Sequence, residues 1–304
     1  MRQIHPNRAK LEAEHREKVF TPDAKMKFHF ENIKLFDKSL ESVLRFFCIA
    51  KKGMQNASDL QLKKLEFAFE NLSAAFDGTK FLLITDMHIP NVENQHERII
   101  SIADSIDYDY CLLGGDYTFR PLTAGFSDQL KQVICHLVGK TPVYGVLGNH
   151  DSYKAAEFLN DLGVQMLLNE NTVLQKGGDI ICIVGVDDCV YFNADDLEQA
   201  LDNVPDNCFK MLLSHPPGLY KQACDMGISL YLAGHTHGGQ ICLPGGIPII
   251  ARDKIPRSLI SGEWKYKEMT GYTSTGAGAG GVAARFFCPP EIVQITLLSR
   301  SIAQ

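Results

Sequence analysis

The stretch KFLLITDMHIP, residues 80–90, decides the fold. Phe81 to Ile84 are four apolar residues in a row, a short strand buried on both faces. Strands of that kind belong to parallel sheets covered by helices. Polar chemistry begins where the apolar run ends, at Asp86 and His88. The same grammar recurs down the chain. YCLLGGD (110–116) ends on Asp116, and VYGVLGNHD (143–151) ends on Asn149, His150 and Asp151. FKMLLSH (209–215) ends on His215, and LYLAGHTH (230–237) ends on His235 and His237. Five apolar strands thus deliver oxygen or imidazole side chains at their carboxyl ends, where α/β folds bind their ligands.

Between and beyond these runs the pattern alternates. Residues 96–106, 126–138, 153–162 and 195–203 read as helices, and IICIVGV (180–186) reads as a further buried strand. Gly177-Gly178 predicts a hairpin between that strand and one near 172–176. GYTSTG (271–276) and EIVQITLL (291–298) read as late strands. Alternation of strands and helices predicts an α/β domain with sheets at its centre.

The chain has 304 residues, 45% of them hydrophobic, enough for one large core and an additional segment. Residues 1–59 carry an excess of four basic side chains, whereas 60–304 carry an excess of ten acidic ones, giving the net charge of −6. We therefore expect an N-terminal helical accessory segment over 1–59 and the main domain over 60–304. An acidic main domain argues against nucleic-acid binding, which favours a basic footprint. Nine cysteines without a CxxC pair predict buried, reduced thiols. MRQIHPNRAK has no apolar core of a signal peptide, and no run reaches the roughly 20 residues needed to span a bilayer. A cytoplasmic protein, or one peripheral on the inner membrane face, is expected. Leu40, Val43, Leu44, Phe47 and Ala50 fall three or four apart, so residues 38–52 read as an amphipathic helix ending in Lys51 and Lys52. Such a helix either packs on the core or lies on a membrane surface.

Taken one at a time, these polar groups have bland readings. D-x-H and G-D after a strand are often plain turns. GNHD is more telling, because three polar side chains after a buried strand are costly unless something uses them. GHTHGG is the sharpest element, with two histidines at i and i+2 between glycines. The five blocks in this order, D-x-H, G-D, G-N-H-D, H and G-H-x-H, resemble those of the calcineurin-like metallophosphoesterases over about residues 78–298. GHTHGGQICLPGG and the late STGAGAGG stretch are similar to the bacterial YkuE/YaeI-like branch. That branch includes LpxG-type UDP-2,3-diacylglucosamine pyrophosphatases of lipid A synthesis.

This resemblance implies a four-layer α/β/β/α sandwich and a hydrolase with two divalent metal ions. Asp86, His88 and His237 would hold one metal, and Asn149, His215 and His235 the other, with Asp116 between them. Such ligands suit Mn, Zn or Fe better than Mg. Two ions about 3.5–4 Å apart can clamp phosphoryl oxygens for in-line attack. His150 would protonate the leaving oxygen, and Asp151 would orient it or cap the helix that follows. Arg120 and Arg285 are candidate phosphate clamps, since a guanidinium suits bidentate phosphate binding. Phe119 departs from the acidic residue that precedes the arginine in the related protein phosphatases. The expected substrate is a small-molecule phosphoester or a lipid-linked nucleotide. The alternatives are a phosphodiesterase of broad or nucleotide specificity and a non-catalytic metal-binding scaffold. Retention of all seven ligand types and His150 weighs against the last.

Overall fold

The structure is a computed structural model that describes residues 8–13, 40, 42, 44, 46–119, 126–249 and 255–300. Two six-stranded sheets form its centre. In the first, β1 (Gln61–Phe69), β14 (Glu291–Ser299), β2 (Lys80–Ile84), β3 (Tyr110–Leu113), β4 (Val143–Gly145) and β5 (Gln165–Met166) lie side by side in that order. In the second the order is β12 (Gly262–Tyr266), β13 (Met269–Thr273), β9 (Leu230–Ala233), β8 (Phe209–Leu213), β7 (Asp179–Gly185) and β6 (Glu170–Lys176). Strands β2 to β5 run parallel to one another, as do β7, β8, β9 and β13. A two-stranded ribbon, β10 (Cys242–Leu243) with β11 (Ile247–Pro248), stands apart from both sheets.

Alternate residues of each apolar run face different layers. Phe81 and Leu83 of β2 join Met211 and Leu213 of β8 in a cluster between the sheets. Leu82 and Ile84 face the other way, onto α2 (Gln95–Asp104), α3 (Asp128–Val138) and α4 (Tyr153–Asp161). On the far side, Leu212 of β8 and Tyr231 of β9 pack with α5 (Leu197–Ala200) and α6 (Tyr220–Asp225). These are the four layers expected, and the strands show no polar alternation because both of their faces are covered. Burying each large side chain contributes about 1.5–3 kcal/mol.

Local differences have local causes. The 195–203 helix shrinks to Leu197–Ala200, because Asp196 accepts from Gln199 N and so sets its start. Asn203, at φ 61°, ends the turn that follows. The hairpin at Gly177-Gly178 forms as expected, with both glycines at positive φ. Strand β1 has no counterpart among the expected elements. It lies at a sheet edge and exposes Lys63, Lys64 and Glu66, so its apolar signal is diluted. The helix expected over 38–52 is broken. Positions 40, 42, 44 and 46 are helical, Cys48 turns left-handed at φ 57°, and Ile49 N donates to Leu44 O at 3.0 Å. That is a Schellman stop, and a second helix, α1 (Ala50–Ser58), follows it. Five of the nine cysteines are buried, but Cys48 and Cys135 are exposed, and all nine are free thiols.

Candidate active site

Strands β2, β3 and β4 of one sheet and β8 and β9 of the other end at a common edge. Most of the candidate ligands turn sharply just beyond their strands. Asp86, His88, Asp116, His235 and His237 have φ of 51°, 45°, 56°, 70° and 51°. A left-handed non-glycine residue costs about 1–3 kcal/mol, and such residues collect where function requires them. The surrounding backbone enforces the turns. Asp86 N donates to Gly115 O at 2.9 Å, His88 N to Asp116 O at 3.0 Å, and Gly278 N to Asp86 O at 2.8 Å. Space is tight: a Cβ on Gly148 would stand 2.1 Å from Asp116 Oδ1, and one on Gly234 would stand 2.3 Å from Asp86 Oδ2.

The side chains converge as two groups. In one, His88 Nε2 lies 3.0 Å from His237 Nε2, which lies 3.5 Å from Asp86 Oδ1. In the other, Asn149 Oδ1 lies 2.8 Å from His235 Nδ1 and 3.1 Å from His215 Nε2. Asp116 Oδ2 stands between them, 3.5 Å from His88 Nε2 and 3.2 Å from His215 Nε2. In each of the trios Asp86–His88–His237 and Asp116–His215–His235, the ligand atoms lie within 4.8 Å of one another. All seven residues are buried.

Hydrogen bonds to the far ring nitrogens of His215 and His88 show which way these two imidazoles face. His215 Nδ1 lies 2.7 Å from Gly114 O and His88 Nδ1 3.3 Å from Thr118 O. A carbonyl only accepts, so Nδ1 carries the proton and the Nε2 lone pair faces inward. Lone pairs of Asn149, His215 and Asp116 then point at one another, which is repulsive unless a cation or a proton stands among them. The donor set therefore fits divalent metals. The electrostatics agree. Burial pulls His88 below its ordinary value. Burial also opposes a charge on His215, but the Asp116 carboxylate outweighs it and holds this imidazole up at about 10. Asp116 stays well below the usual carboxylate range despite its burial, because His215 and His150 face it. A field that holds a proton on His215 also attracts a cation.

His150 sits outside both groups, half-buried, its ring centroid 5.4 Å from that of His88. Its backbone N donates to Asp116 Oδ1 at 2.9 Å. Two of the candidates meet partners other than those expected. The carboxylate of Asp151 accepts from the backbone amides of Asp116 at 2.7 Å, Gly148 at 2.9 Å and Tyr117 at 3.0 Å. It holds the Asp116 turn, and the cap position of α4 belongs to Ser152. Burial, with the Asp116 charge beside it, pushes Asp151 up to about 6.

Arg285 is fully buried, and its guanidinium donates to Gly278 O at 2.6 Å and Thr275 O at 2.7 Å, so its donors face backbone rather than a phosphate. Its Nη2 lies 3.2 Å from His237 Nδ1, which makes it a support for that ring. Arg120 falls outside the described residues. Arg8, Glu12 and Asp187 pack behind His150 and are absent from the residues expected at the site. Only Asp187 carries a signal in the sequence, following its strand in IVGVDD as the other candidates follow theirs.

Comparison with known proteins supplies a family. Calcineurin-like phosphoesterases match residues 79–239, more than half of the chain. The metallophosphoesterase YkuE of Bacillus subtilis is 31% identical over 240 residues, 74% of this chain and 80% of YkuE. Escherichia coli K12 YaeI, named a phosphodiesterase, is 26% identical over 242 residues, 76% of this chain and 85% of YaeI. A Danio rerio transmembrane protein with a metallophosphoesterase domain is 27% identical over 269 residues; these are 82% of this chain but only 60% of the fish protein. Among solved structures, TT1561 of Thermus thermophilus aligns with a TM-score of 0.44 and 12% identity, covering 66% of this chain and 90% of that one. With the ordered blocks gathered where the two sheets meet and this match over residues 79–239, the chain belongs to the calcineurin-like phosphoesterase family.

Proposed function

We propose that the chain is a metal-dependent hydrolase of phosphodiester or pyrophosphate bonds. The observation that carries this reading is the place of Asp116 Oδ2, between two buried groups of inward-facing ligands. Asp86, His88 and His237 would hold one divalent ion, and Asn149, His215 and His235 the other, with Asp116 shared. Mn, Zn and Fe suit these donors. Bound there, such ions supply charge to phosphoryl oxygens and lower the pKa of water. His150 stands beside the ligands and outside their sets, in place to hold the proton that the leaving oxygen takes up. Arg120, four residues beyond Asp116, is the remaining candidate for a phosphate contact.

For the substrate we favour a lipid-linked nucleotide such as UDP-2,3-diacylglucosamine, cut to a lipid phosphate and UMP, as in lipid A synthesis. Two features support it: the GHTHGGQICLPGG resemblance and an exposed apolar patch. Phe46 is 82% exposed and Phe47 63%, with exposed Lys51 and Lys52 beside them. No helix among the described residues is long and apolar enough to cross a membrane. Contact would be peripheral, from the cytoplasmic face. The test sets hydrolysis of UDP-2,3-diacylglucosamine beside that of bis(p-nitrophenyl) phosphate. Turnover of the aryl ester alone removes the lipid reading. His150→Ala should lower turnover roughly 100- to 10,000-fold while bound metal is unchanged. Undiminished turnover would take His150 out of the mechanism.

A further inference from the structure

Residues 8–13 form a helical turn far in sequence from the site, yet they lie directly behind it. Arg8 is fully buried. Its Nε donates to Glu12 Oε1 at 3.0 Å, and its Nη1 pairs with Asp187 Oδ1. Its Nη2 donates to Asp151 O at 2.8 Å and Gly148 O at 3.4 Å. The guanidinium also stacks on the Phe192 ring, 3.7 Å from its centroid. Glu12 Oε1 in turn accepts from Tyr153 N, the first amide of α4, at 2.6 Å. Ser152, at the cap of that helix, makes no side-chain cap of its own. The acid from residue 12 therefore caps α4 from a distant segment and complements the positive end of its dipole.

These contacts bracket the loop that carries Asn149 and His150. Gly148 O lies before the pair and Asp151 O and Tyr153 N lie after it, and all three are tied to one buried side-chain cluster. Asp187 follows β7 of the second sheet, whereas the 148–151 loop follows β4 of the first. Arg8 therefore pins the loop of one sheet to the strand end of the other. Burying a guanidinium is costly unless partners answer its charge and its donors, and here Glu12 and Asp187 do so. The fork geometry, with donors aimed at two carboxylates and two carbonyls at once, is one that only arginine offers.

We propose that Arg8 and Glu12 are positioning residues that hold the 148–153 loop, and His150 with it, in the place where it meets the leaving oxygen. The segment acts through the backbone of that loop and touches no substrate. This inference rests on the reading of His150 as the proton donor, so the experiment includes His150→Ala beside Arg8→Ala in the full chain. Both variants, and the wild type, are assayed on methyl aryl phosphodiesters whose leaving phenols run from p-nitrophenol to phenol. Proton donation matters most for the least acidic phenol, so a displaced His150 steepens the dependence of kcat on leaving group.

Arg8→Ala should lower kcat on the phenyl ester by about 100-fold, the scale of loss for a misplacement near 1 Å, and lower it much less on the p-nitrophenyl ester. KM and bound metal should hold. Arg8→Lys keeps the charge but loses the fork, and should show the same steepening at smaller size. It also serves as the informative variant if Arg8→Ala fails to fold. Equal losses on both esters, or loss of metal, would give Arg8 a merely structural role and overturn the proposal. A profile unaltered in the Arg8 variants but steepened in His150→Ala overturns the proposal alone. An unaltered profile in His150→Ala removes the role assigned to His150 itself.

Discussion

A buried carboxylate ringed by backbone amides works differently from one that faces a ring. Asp151 receives three amides with its two oxygens, one of them from Asp116, whose own φ of 56° needs holding. Asn in its place keeps one acceptor and turns an NH2 toward at least one N–H, so a buried donor goes unsatisfied at about 1–3 kcal/mol. The Asp116 turn should then relax, and Asp116 is the carboxylate both ligand groups share. Asp151→Asn is expected to weaken metal binding by roughly 10- to 100-fold, the usual loss when a support behind a ligand is changed. Metal titration monitored by calorimetry checks it, with His150→Ala as the comparison that should bind normally. If Asp151→Asn kept full affinity and lost only turnover, the carboxylate would belong to His150 after all. In the sequence, Asp151 looks like one more polar residue after a strand; which amides it meets depends on where β3 ends beside β4, and no local pattern carries that.

At the scale of elements, what the sequence makes legible follows from burial. Runs such as FLLI and LYLA are covered on both faces, so their strands stand out as unbroken apolar runs. Strand β1 has one face toward solvent and hides among lysines. The seven candidate ligands are legible because each closely follows such a run. The contacts of Arg285 and Arg8 are not: Arg285 folds back onto carbonyls of its own 275–278 loop, and the partners of Arg8 lie on loops brought close by packing of the two sheets. The N-terminal helices fall between these cases. Their apolar period is visible, but the stop at Cys48 is not, because a non-glycine left-handed residue leaves no mark in composition.

That stop shapes the surface. It leaves Phe46, Phe47 and Ile49 exposed, while Leu44 stays buried at 4% exposure and Gly53 of α1 packs closely against Phe286 and Ala284. An exposed pair of aromatic rings beside Lys51 and Lys52 suits an anionic lipid surface. Replacing Phe46 and Phe47 by Ser should reduce sedimentation with phosphatidylglycerol vesicles and slow hydrolysis of a vesicle-borne lipid substrate several-fold. Turnover of a soluble diester should stay level. Equal vesicle binding by the double variant would assign these rings to some other contact.

For the whole molecule, the two candidate metal-binding groups lie across the seam between the two sheets. Asp86, His88 and Asp116 come from β2 and β3 of one sheet, and His215, His235 and His237 from β8 and β9 of the other. Folding therefore gathers inward-facing lone pairs, two carboxylates and five left-handed backbones at one edge, an arrangement unfavourable until cations balance it. Bound metal should accordingly stabilise the fold as a whole, because the unfolded chain offers no such site. An ion present at 100 times its Kd contributes about 2.7 kcal/mol. Each kcal/mol moves Tm by about 2–4 °C in domains of 150–250 residues, so one ion corresponds to a shift of about 5 °C or more. Chelation should lower Tm by at least that much, and titrating Mn or Zn back should raise it in proportion to the logarithm of free ion. Hydrogen exchange should quicken at residues 86–91, 114–118 and 234–240 on chelation, whereas the interiors of β2 and β8 stay protected. A Tm indifferent to free ion in protein that binds two equivalents would mean that the unfolded chain holds the ions as tightly as the fold does, and would overturn the idea that the site exists only in the folded state.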